Sequence, residues 1–159
     1  MTEIRTGMGW DSHRIAAGRP LILGGVTIPD AAGLEGHSDA DVLAHAITDA
    51  LLGAAALGDI GMHFPDSDPQ WKGADSLQFL AHTAELVREC GFAILCVDAT
   101  VILERPKLKD YRMPIRQSLA NALTLEIEKV SVKFKTAEGV GPVGLGLSAE
   151  AQAIATLAR

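Results

Sequence analysis

The stretch Phe92–Leu103 is apolar almost throughout, interrupted only by Asp98 and Thr100. It has the length of a long strand, and its near-continuous hydrophobicity is that of a strand buried on both faces. Such a strand needs neighbours in a sheet and layers packed over that sheet. Helices covering one or both faces of a mixed sheet are the simplest arrangement. A chain of 159 residues suits one compact domain, so residues 1–159 are expected to form a single unit.

The flanking sequence supplies the layers. Ile4–Asp11 reads as a strand entering a loop, and Pro20–Pro29 as a hairpin about the Gly24-Gly25 pair. Ser38 can cap a helix, with Asp41 three residues on as a capping-box-like partner. Val42, Leu43, Ala46, Ile47, Ala50, Leu51 and Ala54 then recur at helical spacing until Gly58 ends the run. A second helix fits Asp75–Cys90, stopped by Gly91, and a third fits Tyr111–Leu123. Val130–Thr136 alternates like a strand, whereas Glu150–Leu157 satisfies a strand or a helix pattern. Between them Gly139–Gly146 is a glycine-rich loop that lacks the Gly-Lys-Ser/Thr ending of a Walker A motif.

Charge narrows the partners. Fourteen Lys+Arg against twenty Asp+Glu give a net charge of −6. Nucleic-acid polymers and anionic membranes need a basic face, so neither is expected as a partner. An anionic small molecule must instead be met by a local device. Uncharged runs such as Ala50–Gly58 and Gly139–Ala149 fall far short of the ~20 residues of a spanning helix. The opening Met1–Thr6 has no basic-then-apolar pattern, so a cytoplasmic bacterial protein is expected, and a mature plastid protein would look much the same. Cys90 and Cys96 make no disulfide framework and read as buried thiols.

Several residues can carry chemistry. Asp11 and His13 are two apart, so in an extended segment both side chains face one way and can converge on one ion. His45, inside the first helix, is the best candidate for a third ligand, and Asp49 one turn on could hold its free ring N–H. Two His and one carboxylate with a fourth position open is a catalytic zinc pattern. Taken singly, Asp-x-His is ordinarily a strand-end polar pair, and His45 a satisfied core histidine. His37-Ser38 precedes a helix N-terminus, which suits phosphate, or it merely leads into a cap. Asp59-Ile60-Gly61 and Phe64–Asp68 form a turn-rich stretch that can bind metal or sugar hydroxyls, or simply turn the chain. Lys133–Glu138 brings cations, a hydroxyl and a carboxylate to a strand end, the parts needed for phosphate oxygens and a hard cation. An ordinary solvated strand end has the same composition. Trp10 and Trp71 are expected to pack at the domain surface.

The ordered set is more specific than any part. Asp11-Ser-His13, Leu21–Pro29, the block from His37-Ser-Asp through His45 to Asp59-Ile-Gly61, Phe64-Pro-Asp-Ser-Asp68, Arg105-Pro-Lys-Leu108 and Lys135-Thr-Ala-Glu138 occur in one order. Together they closely resemble the 2-C-methyl-D-erythritol 2,4-cyclodiphosphate synthase family, essentially from end to end. The resemblance implies an α+β domain with a mixed four-stranded sheet covered by helices, assembled as a homotrimer with sites between subunits. It implies intramolecular attack of a 2-phosphate on the β-phosphorus of a small anionic nucleotide, 4-diphosphocytidyl-2-C-methyl-D-erythritol 2-phosphate, with CMP leaving.

The resemblance also distributes roles. Asp11, His13 and His45 would hold one Zn²⁺ per subunit, and Glu138 a second divalent cation, Mg²⁺ or Mn²⁺. His37 and Thr136 would stabilise the transition state, and Ser38 would belong to the same phosphate-binding turn. Asp59 would accept hydrogen bonds from the methylerythritol hydroxyls, with Ile60 and Gly61 alongside and Phe64, Pro65, Asp66, Ser67 and Asp68 as a mobile loop. Leu103, Glu104, Arg105, Pro106, Lys107, Leu108 and Lys109 would form the cytidine pocket, with Lys135 and Ala137 beside the nucleotide diphosphate. Pro142 and Leu145 stand where many relatives carry Phe and Arg, which argues against an isoprenoid-diphosphate site in the central cavity. A metal-dependent phosphoesterase and a non-catalytic zinc-binding scaffold are the rival readings.

Overall fold

The computed structural model describes residues 2–159. Five strands form the main sheet: β1 (Ile4–Ala16), β4 (Gly33–Leu34), β5 (Ala93–Ile102), β6 (Val130–Lys135) and β7 (Ser148–Ala158), in the order β4-β1-β7-β5-β6. β5 and β6 are parallel and the other pairs antiparallel, so the sheet is mixed. The expected count of four rises to five because Gly33–Leu34 adds a two-residue edge beside Ile15 and Ala16. β2 (Leu21–Leu23) and β3 (Val26–Ile28) form the anticipated hairpin. The long helices are α1 (Val42–Ala55), α3 (Ser76–Glu89) and α4 (Arg112–Leu123), with one-turn helices α2 (Ile60–His63) and α5 (Gly141–Gly144). No helix among the described residues is long and apolar enough to cross a membrane.

Helix α1 starts later than its sequence suggests. Asp41, not Ser38, is the N-cap, accepting from Ala44 N at 3.0 Å. The same buried carboxylate accepts from Gly24 N at 2.9 Å and Gly25 N at 2.7 Å, so one side chain caps the helix and pins the hairpin turn. From there α1 lies on β1 with almost no side chain between the two backbones. A Cβ on Gly9 would stand 1.9 Å from the Ala46 carbonyl oxygen, and one on Gly7 would stand 2.2 Å from that of Ala50. Ala46, Ala50 and Ala54, one helical turn apart, give the matching stripe on the helix, and only small residues permit this approach.

The strand Phe92–Leu103 departs from expectation. Ile94, Val97, Ala99 and Val101 are buried, while Leu95, Cys96, Asp98 and Thr100 are exposed or half-exposed. One face packs under the helices and the other lies open. A bulge between Ile94 and Cys96 absorbs one residue, which keeps the buried set on one side although Ile94 and Val97 are three apart. The apparent continuity comes from a second face that is itself half apolar. Its neighbours on that face include Met8 (71% exposed), Trp10 (52%) and Ile154 (48%). Cys96 sits on this open face and Cys90 at the end of α3; both thiols are free and exposed rather than buried. The ambiguous segment Glu150–Leu157 is strand β7, and its small buried residues Ala151, Ala153 and Ala155 face the core beneath α1.

Candidate active site

β1 continues past Asp11 to Ala16, because pairing with β7 runs on to His13 opposite Ala149 and Arg14 opposite Ser148. Asp11 and His13 therefore lie within the strand, on the face that carries Gly7 and Gly9 and meets α1. The close strand–helix contact brings His45 of α1 to them. Asp11 Oδ2 is 2.8 Å from His13 Nε2 and 3.0 Å from His45 Nδ1, and the two ring nitrogens are 3.2 Å apart. Tetrahedral zinc with ~2.0–2.1 Å bonds spaces its ligand atoms roughly 3.3–3.4 Å apart. The three atoms thus form nearly one face of such a site, and among the described residues they are the one His/Cys/Asp/Glu cluster with that spacing.

The outer contacts fit a metal as well. His13 Nδ1 lies 2.7 Å from the Glu35 carbonyl, which can only accept, so Nδ1 carries the proton and Nε2 keeps its lone pair. His45 Nε2 is 2.8 Å from Ser76 Oγ and 3.2 Å from Ser38 Oγ. Asp49 does not hold His45; its carboxylate accepts from Ile60 N at 2.9 Å and anchors the start of α2. Burial pushes the Asp11 carboxyl up, but the His13 and His45 rings beside it, when they carry a second proton, outweigh it and hold Asp11 well below the usual carboxylate range. Burial likewise works against a charged His13, yet Asp11 and the Glu35 carbonyl hold that ring above its ordinary value.

The triad opens onto a cavity of about 460 Å³ whose walls include His37, Ser38, Ile60, Gly61, Phe64, Pro65 and Asp66. A second cavity, about 350 Å³, is lined by Leu103, Pro106, Lys107, Leu108, Lys109, Lys135 and Thr136. Two observations decide the family. A model of the YgbB family matches residues 4–158. The 2-C-methyl-D-erythritol 2,4-cyclodiphosphate synthase of Solibacter usitatus is 71% identical over 157 residues, 99% of each chain. The chain belongs to the YgbB family.

Solved structures agree with that membership. A 2C-methyl-D-erythritol-2,4-cyclodiphosphate synthase in a CDP-bound form superposes with a TM-score of 0.89 at 42% identity, covering 96% of this chain and 99% of the other. The bifunctional IspDF of Campylobacter jejuni gives a TM-score of 0.96 at 41% identity, covering 99% of this chain but only 43% of that one. This YgbB chain therefore corresponds to less than half of the bifunctional protein.

Within one YgbB chain the anticipated site residues fall into separate groups. Asp59 caps α2, accepting from Met62 N at 3.0 Å, and Asp68 accepts from Gln70 N at 3.0 Å. Ser67 is exposed in the turn beside it. Glu104 and Arg105 line a third cavity of about 660 Å³ with Pro106, Gly139 and Leu145. Glu104 also accepts from Ala137 N at 3.0 Å, tying the two segments together. Glu138 is exposed with φ 53° and accepts from the Thr136 hydroxyl, apart from the Asp11 cluster.

Sequence reasoning missed four residues. Trp71 and Phe79 line the cavity in front of the triad, and Phe79 stacks on Phe64 at 4.5 Å with Trp71 edge-on at 5.4 Å. Trp71 is therefore part of a cavity wall, whereas Trp10 lies exposed on the open sheet face. Arg112 and Phe134 line the second cavity, with the guanidinium 5.4 Å from the ring centroid. Phe134 between Lys133 and Lys135 was the available signal, since an apolar ring amid cations at a strand end is the makings of a stacking pocket.

Proposed function

We propose that the chain converts 4-diphosphocytidyl-2-C-methyl-D-erythritol 2-phosphate to 2-C-methyl-D-erythritol 2,4-cyclodiphosphate and CMP, a step of non-mevalonate isoprenoid synthesis. One observation carries this reading: a three-ligand triad faces a cavity in a chain 71% identical to such a synthase along 99% of its length. Asp11, His13 and His45 would hold one zinc ion per subunit, and Glu138 a second divalent cation, Mg²⁺ or Mn²⁺. When bound, these ions supply Lewis-acid polarisation of the phosphoryl oxygens.

The chain's own residues position and enclose the reaction. A 2-phosphate oxygen forms a bond to the β-phosphorus as the bond from that phosphorus to the bridging oxygen breaks. CMP leaves with the bridging oxygen, and no water is consumed, so the site must favour the internal nucleophile by placing it. Phe64, Trp71 and Phe79 give an apolar wall against which solvent is excluded. The His37 ring, now 3.3 Å from the Asp68 carbonyl, and the Thr136 hydroxyl would donate to phosphoryl oxygens. Ser38 would join them from the same turn. Asp59 would accept from the sugar hydroxyls, and the Leu103–Lys109 cavity would take the cytosine, with Lys135 and Ala137 beside the diphosphate.

The active unit in this proposal is one domain, residues 1–159, assembled as a homotrimer. Its support is the open sheet face bearing Met8, Trp10 and Ile154, together with half-sites that line different cavities of a single chain. Mass measurement by light scattering should give three chains per particle. Incubation with the diphosphocytidyl substrate should yield CMP and the cyclic diphosphate. The open-chain 2,4-bisphosphate or free phosphate would mean that water attacks instead, and would replace the synthase with a phosphoesterase.

A further inference from the structure

We propose that Asp39 and Ser76 form a two-residue device that sets the tautomer of His45 and, through it, the metal affinity of the triad. The inference rests on the metal reading above and concerns residues that neither touch the metal nor the reacting atoms. Both are positioning residues.

Ser76 opens α3 and is fully buried. Its hydroxyl donates to Asp39 Oδ1, and its backbone N–H donates to Asp39 Oδ2 at 3.1 Å. The carboxylate is itself held, because Oδ1 also accepts from Asp41 N at 3.1 Å while Asp39 N donates to the Ala74 carbonyl at 3.0 Å. An ionised carboxylate only accepts, so the single Ser76 hydroxyl proton is committed to Asp39. Toward His45 the Ser76 oxygen then presents lone pairs alone. At 2.8 Å, His45 Nε2 must be the donor. A neutral imidazole carries one N–H, which leaves the lone pair on Nδ1, the nitrogen 3.0 Å from Asp11 Oδ2.

Ser38 does not impose this polarity. Its oxygen is farther from His45 Nε2, at 3.2 Å, and accepts from Ala40 N at 3.3 Å; it also lies 3.3 Å from Ser76 Oγ, to which it can only donate because the Ser76 proton is on Asp39. The Ser38 hydroxyl can turn from Ser76 toward a ligand while the 2.8 Å contact to Ser76 keeps the His45 tautomer. Asp39 and Ser76 do for His45 what the Glu35 carbonyl does for His13, so each ring is locked from behind with its metal-facing nitrogen free.

The test is zinc affinity by chelator competition, with the visible spectrum of the cobalt(II)-loaded protein as a second readout. Ser76→Ala should weaken zinc binding by about 10–100-fold and alter the cobalt bands. Ser38→Ala should stay within about threefold of the parent, because it leaves the 2.8 Å donor contact intact. Asp39→Asn presents an amide N–H₂ either to the Ser76 hydroxyl or to its backbone N–H, and should weaken zinc by about fivefold or more. That variant carries the test if circular dichroism shows Ser76→Ala to be unfolded. Zinc affinity within about threefold of the parent in a folded Ser76→Ala, or in Asp39→Asn, overturns the proposal, as does a larger loss in Ser38→Ala than in Ser76→Ala. A parent protein that binds zinc no better than its Asp11→Ala variant would overturn the metal reading itself, and the device with it.

Discussion

Gly9→Ala probes the link between fold and site most directly. The added Cβ would stand 1.9 Å from the Ala46 carbonyl oxygen and 2.6 Å from Ala50 N, both backbone atoms of α1. Ordinary contact begins near 3.4 Å, so strand and helix must part by about 1.5 Å locally. Overpacking in a core costs about 1–3 kcal/mol, and a clash with backbone belongs at the upper end because no rotamer can relieve it. For a chain of this length, about 3 kcal/mol corresponds to a Tm loss of roughly 6–12 °C.

The second consequence is chemical. Asp11 and His13 ride on β1 and His45 on α1, so the same parting pulls the three ligand atoms beyond their present 2.8–3.2 Å. Metal bonds tolerate about ±0.2 Å, and zinc affinity should fall by about 100-fold or more. Thermal melting with and without excess zinc, together with chelator competition, reads both effects. Gly53→Ala is the control, since nothing lies within 3.9 Å of its Cβ position. In the interior of α1 that change should stabilise by about 0.5–1 kcal/mol. A Gly9→Ala protein with the parent's Tm and zinc affinity would refute the account of why this helix sits so close.

Other outcomes follow from single contacts. Asp41→Ala strips acceptors from the N–H groups of Gly24, Gly25 and Ala44, and should cost about 1–3 kcal/mol or more in urea unfolding, above the ~1 kcal/mol of an ordinary lost cap. Zinc affinity should rise with pH through and beyond 6.5: the metal-free His13 is held above that ordinary value, and its proton competes with the metal until it leaves. Affinity that does not change between pH 6 and 8 would contradict this (both limits are about half a unit or more from 6.5). Arg112→Ala removes the cation over Phe134 and should weaken CDP binding by about 2–5-fold in calorimetry, while zinc affinity stays unchanged.

The sequence made the elements legible wherever one periodicity dominated. α3 and α4 begin and end within a residue of their expected limits; for α3 the Asp75 cap and the Gly91 stop coincide with a single apolar face, whereas α4 was legible from its apolar spacing alone. It misled where two patterns overlapped. Ser38 and Asp41 both look like caps, and only tertiary contact decides between them: Asp41 also serves the Gly24-Gly25 turn, which a local reading cannot see. In Phe92–Leu103 the bulge and the half-apolar open face together erase the two-residue alternation.

The triad was legible for a different reason. Asp11 and His13 obey strand alternation, and strand geometry is short-range. His45 could be proposed but not placed, since its approach depends on Gly7 and Gly9, whose role is visible only as the absence of a side chain under Ala46 and Ala50. Asp49 lies one turn from His45 and looked the natural support, yet it turned to Ile60, while the actual support came from Ser76, thirty-one residues away. Helical spacing identifies which residues share a face; it does not say which other segment reaches that face first. Here the 38–41 turn and the start of α3 arrive behind His45 together, held by the Asp39 carboxylate. A site assembled in this way ties metal affinity to the packing of three segments, so its most sensitive positions include residues with no chemistry of their own: a glycine under the helix and a serine behind the ring.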